Sequence, residues 1–278
     1  MKKNRIYIPL ALSFTLLAFV ISACGASESR TREANYREFM ANDSIPEVLK
    51  NIVTAIYNDD PSLFAAQVAY PIQRPYPLKD IDSQAEMEAY YHVMVDDSLR
   101  NVILSSRPEE WKEYGWRGWS LHDGEYLWTA DSLYAVNYIS KREHELIDSL
   151  LTAERNSLPR QFKEGWTPVI TFRSEEKKKI YRIDQLTASA GKDNSVYRLS
   201  IFDYDENSPD VYSGLEEIME GTDKIEGSAG TVSYIFTDNN GRDYVIFPEE
   251  PSSGTPAMLE PDGSRIDLEK AYWLELIR

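Results

Sequence analysis

The chain has 278 residues, a formal net charge of −16 and a single cysteine. This length exceeds the usual size of one domain and predicts two. A strongly acidic surface repels phosphate backbones, so we expect no nucleic-acid partner. A single cysteine excludes an intramolecular disulfide, and each domain must therefore be stabilised by packing.

The N-terminus has the three parts of a secretory signal. Basic residues at positions 2, 3 and 5 precede an apolar run over residues 6–20, and small residues then lead to Cys24. The alternative is an uncleaved membrane anchor, but the run is shorter than the ~20 apolar residues that span a membrane.

The tetrapeptide Ile21-Ser22-Ala23-Cys24 resembles the lipobox of bacterial lipoproteins. In that family the cysteine is acylated, with palmitate as a typical acyl chain, and the preceding peptide is removed. The resemblance implies a protein anchored to a membrane of the bacterial cell envelope through lipid on Cys24. Gly25 stands where an aspartate would indicate retention at the inner membrane, which favours the outer membrane.

The exported body divides into a tether and two domains. Residues 1–23 form the signal peptide, and residues 24–43 are small, polar and of mixed charge, which predicts a flexible tether. An α+β domain is expected over residues 44–160. A β-rich domain is expected over residues 161–278.

Capping residues mark the starts of the predicted helices in the first domain. Each is a serine or aspartate that precedes an apolar pattern of helical period, in several cases with a glutamate three residues later. The predicted caps are Ser44, Ser83, Ser140, the stretch Asn58-Asp59-Asp60-Pro61 and the pair Asp96-Asp97.

From Trp111 onward the apolar period becomes that of strands, with candidates at residues 115–121, 125–130 and 133–139. Helices followed by antiparallel strands indicate an α+β fold. The stretches Asp60-Pro61-Ser62-Leu63-Phe64-Ala65 and Val68-Ala69-Tyr70-Pro71, with the aromatic strands, resemble exported members of the nuclear transport factor 2-like superfamily. The resemblance covers about residues 44–140. It implies a cone-like domain in which N-terminal helices pack on a curved antiparallel sheet around a pocket.

The second domain shows short strands separated by turn sequences, which predicts an all-β sandwich or barrel. Leu215, Ile218 and Met219 have helical spacing and predict one short helix between strands. The expected strands are residues 167–173, 179–186, 195–202, 231–236, 244–247, 257–260, 265–268 and 271–277.

The candidate ligand site is an aromatic group in the first domain. A cone-like fold would place these rings and one guanidinium on a concave surface that suits an uncharged or anionic small ligand. An aromatic core with a salt-bridged arginine explains the same pattern. The expected lining residues are Arg117, Trp119 and one of Tyr126 or Trp128, together with Tyr91 and His92.

The sequence shows no catalytic motif, and we expect no cofactor or metal. The histidines lack the spacing of metal ligands, and the stretch from Asp203 to Gly214 lacks the glycine and glutamate of a calcium loop. We therefore expect a non-catalytic binding or interaction module for a small ligand or an envelope protein. The alternative is an envelope hydrolase or isomerase that uses a pocket in the first domain. A deep pocket with two convergent carboxylates, or a carboxylate beside His92, would favour it.

Overall fold

The computed structural model describes residues 30–158, 160–162, 164–191, 195–205, 212, 214–226 and 231–272. The signal segment, Cys24, most of the acidic loop before Gly214 and the end of the last predicted strand lie outside these residues. The chain forms two compact units. The first contains the residues up to Gln73 and Asp80–Glu143, and the second contains Arg74–Lys79 and His144–Arg278.

The helices of the first unit begin at the capping residues that the sequence predicts. The side chain of Asp60 accepts a hydrogen bond from Leu63 N, and Asp96 accepts from Leu99 N, each at 3.0 Å. The Ser83 and Ser140 caps are also confirmed by their hydrogen bonds to the first helical turn. The helices are α1 (residues 30–41), α2 (Glu47–Asn58), α3 (Pro61–Ala65), α4 (Gln84–Met94), α5 (Asp97–Ser105) and α6 (Lys141–Ser157).

The predicted cap at Ser44 is wrong. Helix α2 begins at Glu47 after Pro46, which provides no side-chain cap. Ser44 lies instead in a turn, where its N–H donates to the Asn42 side chain at 2.9 Å. The fixed φ of proline is compatible with the entry to a helix, so α2 begins without a serine cap.

Helix α1 occupies residues assigned to the tether by the sequence analysis. Tyr36, Phe39 and Met40 have the spacing of one helical face; Phe39 is buried in the hydrophobic core of the first unit, and Tyr36 and Met40 are partly buried and pack against it. Phe39 is 2% exposed and contacts Trp111 edge-on, with ring centroids 5.5 Å apart. A buried apolar face stabilises a helix whose remaining residues are mostly polar.

The sheet of the first unit has four short antiparallel strands in sequential order. Gly115–Arg117 form a 3₁₀ turn rather than part of a predicted strand. Buried residues from the helices and from these strands belong to one hydrophobic cluster. The strands are β1 (Trp111–Glu113), β2 (Trp119–Leu121), β3 (Leu127–Thr129) and β4 (Leu133–Val136).

The second unit is built on an antiparallel sheet in which each strand from β5 to β12 pairs with the next. Its remaining strand, β13, pairs with β5. Most of α6, which the sequence analysis placed in the first domain, belongs to this unit. The strands are β5 (Trp166–Ser174), β6 (Lys179–Leu186), β7 (Tyr197–Asp203), β8 (Leu215–Glu226), β9 (Thr231–Thr237), β10 (Asp243–Phe247), β11 (Ala257–Leu259), β12 (Arg265–Asp267) and β13 (Glu269–Lys270).

The chain connection between β12 and β13 closes this sheet. Only Leu268 separates the two strands, yet they pair at opposite ends of the strand order, β12 with β11 and β13 with β5. Neighbouring strands lie about 4.8 Å apart, so a flat sheet would hold these two edges much farther apart than one residue can reach. The sheet therefore curls into a nearly closed barrel, and of the two predicted architectures the barrel is the one that forms.

The predicted short helix at Leu215, Ile218 and Met219 is wrong, because these residues belong to strand β8. Met219 is 2% exposed in the apolar cluster of the barrel, whereas Ile218, the next residue along, is 42% exposed. This alternation has the period of a strand. Pairing with β7 and β9 provides the backbone partners that override the helical spacing.

One face of the barrel strands forms an apolar interior. Because successive side chains alternate, the opposite face of β6 and β7 points away from that interior, and it is buried as well. Residues near the end of α6 contribute to the cluster that covers this outer face. The interior residues are Phe172, Tyr181, Ile183, Tyr197, Leu199, Ile201, Met219, Tyr234, Phe236, Ile246, Met258, Ile266 and Leu268.

Candidate functional site

The strand register separates two tryptophans that the sequence analysis placed in one ligand site. Trp119 lies opposite Thr129, and Trp128 lies opposite Ser120. Directly opposite residues share a face of the sheet and successive residues alternate, so Trp119 and Trp128 point to opposite faces. Trp119 packs on the hydrophobic core, whereas Trp128 contacts Tyr114 edge-on at 5.1 Å. The two rings therefore do not line a common surface.

Arg117 and Tyr126 occupy separate local environments. Arg117 ends the turn between β1 and β2, where its guanidinium carbon lies 5.2 Å from the centre of the Trp116 ring. Tyr126 stacks on Tyr138 at 5.9 Å and contacts His122 edge-on at 5.6 Å. Tyr126 also packs against the core, which agrees with the alternative explanation of the aromatic pattern.

Tyr91 and His92 adjoin a charged cluster at the end of α2. Tyr91 is fully buried, and burial raises the pKa of its hydroxyl to about 12, with the positive charge of Arg100 opposing this shift. The Nδ1 atom of His92 lies 3.7 Å from Oδ1 of Asp59, which also pairs with Arg100. A carboxylate beside His92 is thus present. Both side chains are more than half exposed, and 3.7 Å exceeds the length of a hydrogen bond.

Four buried charges form a network on the outer face of the barrel, a feature that the sequence analysis did not select. Arg182 donates to Glu154 of α6, and its Nη2 lies 2.8 Å from Oδ1 of Asp184. Arg198 donates to the other oxygen of Asp184 at 2.8 Å. None of the four is more than 6% exposed. Two carboxylates neutralise two guanidinium groups, which reduces the cost of burying them.

Two tyrosines also donate hydrogen bonds to Glu154. The hydroxyl groups of Tyr76 and Tyr212 donate to Oε1 of Glu154, at 2.8 and 2.9 Å. Burial raises the pKa of both hydroxyls, and the adjacent carboxylate adds to the shift, so both groups remain protonated donors. Tyr76 belongs to the segment Arg74–Lys79. The network therefore attaches both this segment and α6 to the barrel.

Arg198 is also held by aromatic rings. Its guanidinium carbon lies 4.7 Å from the centre of the Phe162 ring and 4.4 Å from that of Trp166.

The sequence signal for this network was the alternation of charged and apolar residues at Arg182, Asp184 and Arg198 in two neighbouring predicted strands. That pattern ordinarily indicates a solvated face, and only the covering elements bury it.

A polar cleft lies at the end of the barrel that holds the β9–β10 and β11–β12 turns. Its volume is about 330 Å³, and its lining includes Arg242, Tyr244, Glu260 and Asp262. The Arg242 guanidinium pairs with Asp238 at 2.6 Å. Hydrogen bonds from the Arg242 backbone and side chain lower the pKa of the Asp238 carboxyl to about 2. The guanidinium is thus already neutralised, and the two lining carboxylates leave the cleft with negative charge.

No protein-family model, curated protein or solved structure matches this chain. In the described part of the chain, no helix is both long and apolar enough to cross a membrane. The same residues contain no group of three or more histidine, cysteine, aspartate or glutamate side chains placed to hold a metal ion.

Proposed function

We propose that this protein is a lipid-anchored component of the bacterial cell envelope whose exported body acts as a non-catalytic binding module. The observation that carries the proposal is the sequence Ile21-Ser22-Ala23-Cys24, which follows a basic segment and an apolar run. The cysteine is the only one in the chain. Gly25 after it supports a location at the outer membrane. The cone-like character of the first domain, similar to nuclear transport factor 2-like proteins, is part of the same proposal.

Metabolic labelling tests the anchor. Cells that produce the wild-type protein are expected to incorporate labelled palmitate into it, and the Cys24→Ala variant should lose this label. Ser27→Ala, a substitution in the same stretch, is the matched control and should retain it. Equal labelling of the wild-type protein and Cys24→Ala would contradict the proposal.

The cleft at the barrel end is our candidate for the binding site. Arg242 is neutralised by Asp238, while Glu260 and Asp262 line the cleft beside the ring of Tyr244. Carboxylates next to an aromatic ring suit a ligand with an ammonium group. The proposed ligand class is therefore a small cationic or zwitterionic amine.

A thermal-shift titration with putrescine and L-lysine tests the cleft. Both probes are expected to raise the melting temperature of the wild-type protein, and the double variant Glu260→Gln/Asp262→Asn should lose the shift. Glu226→Gln removes an exposed carboxylate outside the cleft lining and should keep it. A shift that is the same in all three proteins would reflect non-specific ionic effects, and no shift in the wild-type protein would direct the search to an envelope protein as partner.

The enzyme alternative is supported by one observation, the carboxylate of Asp59 beside His92. A hydrolase that uses this pair should cleave chromogenic ester or glycoside substrates and lose turnover in His92→Gln. His144→Gln removes a histidine from another helix and is the control. Absence of turnover in the wild-type protein, or equal turnover in both variants, counts against this alternative.

A further inference from the structure

The turn between β1 and β2 presents a tryptophan to solvent. Trp116 is 85% exposed, more than any other large hydrophobic side chain in the described residues. It lies at the centre of the 3₁₀ turn Gly115–Arg117. A tryptophan gains more than most side chains when a partner covers it, because its ring buries a large apolar area.

Hydrogen bonds hold this turn in one conformation. Tyr114 N donates to Gly118 O at 2.7 Å, and Gly118 N donates to Gly115 O at 2.9 Å. The hydroxyl of Tyr134 donates to the carbonyl of Arg117 at 2.8 Å. A side chain presented on a pre-ordered turn loses little conformational entropy when it binds.

The chemistry of the turn differs from that of the chain as a whole. Residues 114–122 contain no aspartate or glutamate, although the chain has a net charge of −16. The Arg117 guanidinium lies over the Trp116 ring at 5.2 Å. Tryptophan rings concentrate at the headgroup level of membranes, and guanidinium groups bind phosphate oxygens. The pair therefore suits a phospholipid surface.

The position of the lipid anchor in the chain favours a membrane as the partner. Five residues, 25–29, lie between Cys24 and residue 30, the first described residue of α1. The six Cα–Cα steps from Cys24 to residue 30 span at most about 20 Å, so a lipid anchor on Cys24 keeps this end of the described α1 close to the membrane. Helix α1 and the turn belong to the same unit, and Phe39 of α1 packs against Trp111, the first residue of β1. The turn therefore belongs to the unit that the short segment after Cys24 keeps close to the membrane.

We propose that the Trp116–Arg117 turn inserts into the headgroup layer of the membrane that carries the lipid anchor. The proposal rests on the lipidation of Cys24. It adds to the anchor a second contact, which orients the first unit on the surface and places a tryptophan ring within reach of the acyl chains.

Fluorescence quenching by brominated lipids tests the insertion. The full-length lipidated protein is placed in vesicles of phosphatidylethanolamine and phosphatidylglycerol, with or without brominated phosphatidylcholine. Brominated lipid should quench the wild-type emission by up to the share of one of its six tryptophans. Trp116→Phe should lose most of this quenching. Trp128→Phe, which removes a ring from the neighbouring strand, should keep it.

The outcomes separate this inference from the lipidation proposal. If the wild-type protein floats with vesicles but Trp116→Phe is quenched as much as wild type, the insertion is refuted while the anchor stands. If Cys24→Ala incorporates as much labelled palmitate as the wild-type protein does, lipidation itself is refuted. Wild-type emission that changes with soluble peptidoglycan fragments and not with brominated lipid would replace the membrane by a carbohydrate partner.

Discussion

Removing the charge of Glu154 should destabilise the barrel strongly. Glu154 is fully buried and accepts hydrogen bonds from Arg182, Tyr76 and Tyr212. Glu154→Gln keeps the volume of the side chain, so the change introduces no cavity. It leaves Arg182 to share the single carboxylate of Asp184 with another guanidinium. Breaking a buried pair in this way costs about 3–5 kcal/mol.

Hydrogen exchange measures this loss where it occurs. A cost of about 3–5 kcal/mol corresponds to roughly 100- to 5,000-fold faster exchange of protected amides, at about 1.4 kcal/mol for each tenfold change. Mass spectrometry of peptides from β6 and β7 should detect this faster exchange in Glu154→Gln. The same peptides measure the exchange of Arg182→Met, the other single variant of a double-mutant cycle.

A matched control and a double variant test whether the charges of the network are coupled. Glu226→Gln breaks an ion pair with Lys224 in which both side chains are more than half exposed, so it should change stability by about 1 kcal/mol or less. The double variant Glu154→Gln/Arg182→Met should lose less stability than the sum of the two single variants, because it removes both charges of the ion pair and leaves neither charge without its partner. Additive costs, or equal effects of Glu154→Gln and Glu226→Gln, would refute the argument that the network is electrostatically coupled.

Three further outcomes are expected in the first unit, each measured by thermal or urea unfolding. Gly118→Ala should destabilise the protein more than Gly115→Ala. Both glycines have positive φ, but only at Gly118 would an added Cβ meet the Thr129 carbonyl oxygen, at 1.9 Å. Equal effects of the two substitutions would show that the backbone angle alone matters. Phe39→Ala should cost about 3–5 kcal/mol if α1 is part of the core, and almost nothing if residues 30–41 behave as a tether. Burial alone would raise the pKa of the Asp96 carboxyl, but hydrogen bonds from backbone N–H groups and a tyrosine hydroxyl lower it below 3.8. Its contribution to stability is therefore complete well above the ordinary aspartate pKa of about 3.9 and is lost as the pH falls through the depressed pKa, and Asp96→Asn should remove that part of the acid dependence.

Features that depend on a few neighbouring residues could be predicted from the sequence. A capping side chain reaches only to the next turn of its own helix, so Asp60, Ser83, Asp96 and Ser140 identify helix starts without knowledge of the fold. The sequential pairing of β2, β3 and β4 follows for the same reason, since short turns join antiparallel neighbours, whereas β1 was not predicted. The signal segment before Cys24 is also a local pattern, and its lipidation stays a prediction.

The residues that lie together in the candidate sites could not be predicted from such local patterns. Whether Trp119 and Trp128 share a surface depends on the register of β2 against β3, and a shift of one residue reverses the face of every side chain. The position of Asp59 beside His92 requires α3 to pack against both α2 and α4, which brings two distant parts of the chain together. The cleft near Arg242 likewise forms only when two separate turns meet at the end of the barrel.

By itself, the sequence determined the acidic composition, the starts of α3, α4, α5 and α6, and the presence of a mixed and a β-rich part, while the export signal stays a prediction. These properties depend on composition or on interactions within one turn or strand. Only the tertiary structure decided that residues 30–41 join the core, that β8 is a strand and that the barrel closes through Leu268. It also decided that Arg182, Asp184 and Arg198 are buried with Glu154. Burial and register depend on which distant segments cover a residue, and a linear pattern contains little information about that.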